Sequence, residues 1–246
     1  MHYFVGWDVG GWNCEKNKNS RDALAVLGDT GGGLKLCGKP YRGNIRPEIN
    51  RYSNLPDIVN AACKTTISTS DHITLAIDTP LGMPDSFFAL LTGGEIPESI
   101  PESYAQNPYL YRRTEQWLFQ HVCPPLSAVK DMIGSQATKG MHLLRKLRLT
   151  PDAQRCGVWT FSTVTAIETY PTPCKRSHRM TLLFANLNIG PLGHQDRIDA
   201  VYCALVAHLF HSDGSSLIGP QVSLPPAEGW IWIPADAVRR RVPEKP

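Results

Sequence analysis

No stretch of this 246-residue chain approaches the ~18 uninterrupted apolar residues that a membrane span requires, so no spanning segment is expected. Its first residues, Met1-His2-Tyr3-Phe4-Val5-Gly6-Trp7-Asp8, lack a basic stretch followed by a long apolar run, and no signal peptide is expected. The 7 cysteines are odd in number, widely spread and free of any Cys-x-x-Cys pair. That argues against a disulfide framework and for a reducing compartment, so the expected location is cytoplasmic. Strong charge is missing too: 25 Lys and Arg against 22 Asp and Glu leave a net +3, which permits an acidic partner without demanding one. There is no internal repeat and no low-complexity tract. What remains, at 42% hydrophobic and 19% charged residues, is the composition of a soluble globular chain able to bury a large core.

The most organised stretch is His194–His208. It reads as a helix with Asp196 and Asp199 on neighbouring points of its first turns and an almost wholly apolar body. Upstream, residues 2–8 read as a strand ending on Asp8. Strands at 23–27 and 34–37, joined through the turn Asp29-Thr30-Gly31-Gly32-Gly33, complete an antiparallel meander. A Pro- and Arg-bearing connection over 39–51 leads to a helix capped by Ser53 or Asn54, with Leu55, Ile58, Val59 and Ala62 as its apolar stripe. Ile73–Asp78 is a nearly continuous apolar strand, as for a central position, and Pro80 stops it. Residues 84–157 break the rhythm with a Pro- and Gly-rich loop over 93–108 and helices predicted at 111–122 and 128–147; the stretch is expected to be a helical insertion or lid. A β-branched strand is predicted over 158–168, ending on Glu168, then a helix over 176–187. The tail Glu228–Pro234 alternates like a strand before a basic end, Arg239-Arg240-Arg241.

Three strands thus finish on a carboxylate: Asp8, Asp78 and Glu168. Three meander strands, a helix, a strand, an insertion, a strand and a helix form the ribonuclease H-like order, an α/β mixed sheet flanked by helices. A single such domain is expected over 1–246, with the helical insertion between its fourth and fifth strands. On one rim of such a sheet Asp8, Asp78, Glu168 and Asp199, with Asp196 as auxiliary ligand or helix cap, would converge. Carboxylates gathered without partners repel one another, and divalent cations resolve the conflict. Hard oxygen ligands select Mg²⁺ or Mn²⁺, and two ions ~4 Å apart clamp the attacking and leaving oxygens of a phosphodiester.

Gly6-Trp7-Asp8-Val9-Gly10-Gly11, Ala76-Ile77-Asp78-Thr79-Pro80-Leu81-Gly82, Ile167-Glu168-Thr169-Tyr170-Pro171 and Asp196-Arg197-Ile198-Asp199-Ala200 together resemble the family called domain of unknown function 429. The closing Glu228–Pro234 segment resembles that family's ending, and the helix from His194 is similar to the His-x-x-Asp-Ala element of Holliday-junction resolvases. The resemblance implies a ribonuclease H-like nuclease with metal ligands Asp8, Asp78, Glu168, Asp196 and Asp199. Nucleic acid is then the expected partner, its backbone held by Lys139, Arg145 and Lys146.

Each motif also has a plainer reading. Asp196 and Asp199 suit a helix start through capping and the helix dipole, and Asp8 and Asp78 suit turns. Glu168 at a strand end can pair with an arginine, Arg112, Arg113 or Arg176. The basic run Lys139–Arg148 suits a solvated helix face. Cys174 and His178 with His121 and Cys123 form an unusually spaced zinc set. Trp7 and Trp12 suit the core, or stacking on a base. Two other functions compete: an ATP-binding phosphotransferase of the actin-like or sugar-kinase type, suggested by Asp8-Val9-Gly10-Gly11, and a non-catalytic binding protein keeping the fold. The first lacks the duplicated domain and second phosphate loop that such enzymes use.

Overall fold

The computed structural model describes residues 1–238 except Thr30, Gly32 and Pro226; the Arg239–Arg241 run and two residues of the predicted turn lie outside the described residues. The chain is an α/β protein with one mixed sheet flanked by helices. Its strands are β1 (His2–Asp8), β2 (Asp22–Asp29), β3 (Leu34–Gly43), β4 (His72–Asp78), β5 (Thr150–Pro151), β6 (Val158–Phe161), β7 (Val164–Thr169), β8 (Leu217–Ile218) and β9 (Ile231–Pro234). The main order is β3-β2-β1-β4-β7-β6-β5. β4 runs parallel to both β1 and β7, and β2 is antiparallel to its neighbours. β9 extends along the last two residues of β7 and pairs with β8.

Strand alternation divides the core into two layers. Val5, Trp7, Leu24, Val26, Ile73, Leu75 and Ile77 face α1 (Arg46–Arg51), α2 (Leu55–Cys63) and α5 (Gly134–Lys146). Phe4, Ala23, Ala25, Leu27, Ala76 and Ile167 face α8 (Gln195–Ser212), with α7 (His178–Asn186) packed outside it. Being covered on both faces, β1, β2 and β4 carry apolar residues at almost every position. Three more helices complete the chain: α3 (Asp85–Thr92), α4 (Arg113–His121) and the four-residue α6 (Pro171–Cys174).

The predicted caps and boundaries meet mixed outcomes. Asn54 caps α2, its side chain accepting from the Asp57 amide at 2.9 Å. The long helix read from residue 128 begins at Gly134, and α1 forms inside what reads as a connection. The stretch 158–168, read as one strand, is a hairpin: Ser162 turns the chain at φ 53°, and β6 doubles back on β7. β-branched density reports strand content but not reversal, and no Gly, Asn or Pro marks this turn. The helix read over 176–187 begins at His178, with the Ser177 hydroxyl accepting from the Met180 amide at 3.1 Å. No described helix is long and apolar enough to cross a membrane.

One contact sets how α8 sits on the sheet. A Cβ on Gly6 would come within 1.9 Å of the Ala200 carbonyl oxygen and 2.3 Å of the Ala204 nitrogen. With no side chain there, the helix backbone lies directly on β1. Gly6→Ala is therefore expected to destabilise the fold by about 1–3 kcal/mol or more through overpacking. A urea midpoint unchanged from wild type would contradict that.

Candidate active site

β1 and β4 pair in register, Asp8 opposite Asp78. Alternation puts both on the face of Phe4 and Ala76, the side that α8 covers. They stand where the two parallel strands end, the place where open α/β sheets form crevices. There a cavity of about 250 Å³ opens, its lining including Asp8, Asp78, Thr79, Glu168, Thr169 and Tyr170. Neither aspartate carboxylate has a hydrogen-bond or ion-pair partner among the described residues. Burial, followed by the charges of Asp78, Asp196, Asp199 and Asp22, holds Asp8 well above the usual carboxylate range. Asp78 is pushed up to about 8, first by burial and then by Asp199 and Glu168, with Lys175 pulling the other way. At neutral pH the pair therefore retains a proton in the absence of an added cation.

Asp199 projects from the second turn of α8, part-exposed, and is held by the Lys175 ammonium at 2.7 Å and the Gln195 amide at 2.8 Å. Lys175 follows α6 directly and acts electrostatically on both Asp199 and Asp78. No local pattern in the sequence marks this cation, which lies inside the Cys174–His178 stretch that reads as a metal-ligand pattern. Cys174 itself is buried, its thiol donating to the Tyr170 carbonyl at 3.1 Å.

Asp196 does not cap the helix. His194 does, its Nδ1 accepting from the Asp196 amide at 3.2 Å. The Asp196 carboxylate instead binds the Arg42 guanidinium at 2.9 Å and the Arg21 amide at 3.0 Å, tying α8 to β3 and to the approach to β2.

Glu168 lies on the opposite face of the sheet from the two aspartates. The β4–β7 register pairs Ala76 with Ile167 and Ile77 with Glu168, so Glu168 points with Ile77, away from α8. Both its oxygens are engaged there: the Arg112 guanidinium donates to them at 2.6 and 2.8 Å, and the Leu81 amide donates at 2.9 Å. Arg112 also binds Glu115 and the Glu228 carbonyl, and all three charged side chains are essentially sealed from solvent. Glu168 anchors the Thr79–Gly82 segment that follows Asp78; as folded it offers no free oxygen to a cation. Of the three arginines considered for it, Arg112 is the partner.

Lys139 is a second correction. It is 0% exposed, with its ammonium on Asp22 and on the Gly10 and Gly11 carbonyls at 3.3 and 3.2 Å, so it cannot lie along a nucleic-acid backbone. Asp22 also accepts from the Trp7 indole at 3.1 Å and from the Gly10 and Ile45 amides, each at 2.9 Å. That network fixes the loop after Asp8, and Trp7 belongs to the core. Trp12 is part-exposed, its indole donating to Thr138 at 3.1 Å. Arg145 is exposed and Lys146 part-exposed in the last turn of α5.

Among the described residues, no three His, Cys, Asp or Glu side chains stand together closely enough to hold a metal ion as they are. The donor chemistry nevertheless suits a hard divalent cation at Asp8 and Asp78: two unpartnered carboxylates on adjacent strands, in repulsion, open to a cavity. Asp199 is the next carboxylate, tethered by a lysine. No family model, no curated protein and no solved structure matches this chain.

Proposed function

We propose that this protein is a metal-dependent phosphodiesterase acting on nucleic acid, with Asp8 and Asp78 at its centre. The observation that carries the proposal is the in-register pair of unpartnered aspartates, whose proton affinities are raised by burial and by neighbouring carboxylates. The β3-β2-β1-β4-β7 order, with β2 alone antiparallel in that set, supports a ribonuclease H-like reading of a single domain. In that reading residues 84–157, which carry α3, α4 and α5 between β4 and β6, are its insertion.

Asp8 and Asp78 would hold Mg²⁺ or Mn²⁺, which supplies Lewis-acid polarisation of the phosphate and activation of the attacking water. Lys175 pairs with Asp199 and brings a positive charge to the same rim, where a phosphate oxygen would arrive. The Glu168–Arg112–Leu81 contacts hold the chain leaving Asp78, so the aspartate starts from a fixed backbone. Wild-type protein with Mn²⁺ is expected to cut at least one of four labelled probes (single- or double-stranded DNA or RNA), and EDTA is expected to stop it. Intact probes throughout, at millimolar Mn²⁺, would overturn the proposal.

A further inference from the structure

A second cavity, of about 400 Å³, adjoins the acidic rim. Thr79 and Pro80 line the first cavity, and the next two residues, Leu81 and Gly82, line the second. α5 borders both. Gln136 reaches the first and Arg145 the second, nine residues on, which is about 13 Å along a helix rising about 1.5 Å per residue. The second cavity's walls are mostly apolar, including Met83, Phe88, Met141, Leu144 and Trp159. Its two charged liners are Asp85 and Arg145, and neither side chain has a hydrogen-bond or ion-pair partner among the described residues.

We infer that this cavity takes one unstacked nucleobase of the nucleic acid whose phosphodiester lies over Asp8 and Asp78. The inference rests on the phosphodiesterase reading. Pockets of about 300–1,000 Å³ with apolar walls and a few polar groups are the usual form of sites for small rigid ligands. A base is planar, presents apolar faces to thioethers, aliphatics and an indole, and keeps its polarity on its edges. One carboxylate acceptor and one guanidinium donor complement a base edge that carries both N–H groups and a carbonyl oxygen. Guanine fits best: arginine donates to its O6 and N7, and a carboxylate accepts from its ring and exocyclic N–H.

The surrounding charge says how much of the strand enters. Residues 82–111 contain no Lys, Arg or His and carry Asp85, Glu95, Glu98 and Glu102. The Asp85 wall of the cavity repels a continuing phosphate backbone, whereas Arg145 on the α5 wall, with Lys146 beside it in the same last turn, attracts one. A single base is therefore inserted while its strand stays along the end of α5. The substrate is accordingly a single strand, or a duplex opened locally.

The test uses fluorescence anisotropy in EDTA, so that binding is read without cleavage. The probes are a labelled ten-nucleotide oligothymidylate with one central guanine and the same oligomer with an abasic site there. Wild type is expected to bind the guanine probe at least tenfold more tightly. Met141→Trp, which puts an indole into the cavity, is expected to narrow the difference in affinity between the two probes at an unchanged melting temperature. Arg145→Ala, an exposed position, is expected to narrow the difference in affinity between the guanine and abasic probes. Equal binding of the two probes by wild type, or no binding of either, overturns the inference, as does a folded Met141→Trp that binds normally. Mn²⁺-dependent cleavage that ignores the base removes the cavity's role and leaves the phosphodiesterase standing. Base discrimination without cleavage under any metal does the reverse.

Discussion

Asp8→Asn and Asp78→Asn are each expected to lower Mn²⁺-dependent cleavage by more than about 100-fold, the upper range for loss of a residue that only supports a metal ligand. Both are also expected to raise thermal stability at pH 8. The wild-type carboxylates stand side by side, half-buried against a cavity, without a partner to offset their repulsion. Asparagine keeps the shape and removes the charge, a gain of about 0.5–2 kcal/mol on the scale of other single stabilising changes. The sign of the pH dependence follows from Asp78. Its folded-state value of about 8 exceeds the ordinary carboxylate value near 4, so between those limits the folded chain binds more protons than the unfolded one. Its contribution to stability is therefore complete in acid and lost as pH rises through about 8, and Asp78→Asn should flatten that decline. Melting curves at pH 5, 6.5 and 8, read beside a cleavage assay, check both halves. A variant that cleaves normally, or melts lower than wild type at pH 8, would contradict the account of the pair.

Arg112→Met is expected to be the most damaging substitution away from the rim. Arg112 is buried between Glu115 and Glu168, and removing it leaves two carboxylates in the interior without their cation. Breaking a buried pair in this way costs about 3–5 kcal/mol. For a chain of this size that is a fall in melting temperature on the order of 6–20 °C. Arg112→Lys keeps the charge but cannot span both carboxylates as a planar fork, and should fall in between. Glu168→Gln separates the two roles considered for that residue: stability should drop while Mn²⁺ affinity persists. Mn²⁺ affinity lost in a Glu168→Gln protein that melts like wild type would make Glu168 a ligand after all.

Much of the rim was legible before any coordinates. Asp8 and Asp78 close apolar strands and are followed by Gly or Pro, so a strand end bearing a carboxylate could be read locally; a helix with acids at its mouth was equally clear. Other parts were not. Lys175 and Arg42, which hold Asp199 and Asp196, lie 24 and 154 residues from their partners, and no local pattern marks such pairs. Lys139 reads as part of a basic helix face, yet it meets Asp22 117 residues away in the interior.

What the sequence alone determined is therefore the kind of residue at each strand end and the periodicity that builds two layers around an apolar sheet. What only the tertiary structure decided is which strand-end acids share a face. The β1–β4 register puts Asp8 beside Asp78, and the β4–β7 register puts Ile77, not Asp78, opposite Glu168. Because side chains alternate across a sheet, that offset of one residue sends Glu168 to the opposite face and into the grip of Arg112. Register is set by long-range pairing and by how α8 and α5 pack on the two faces, and neither is written in any single strand.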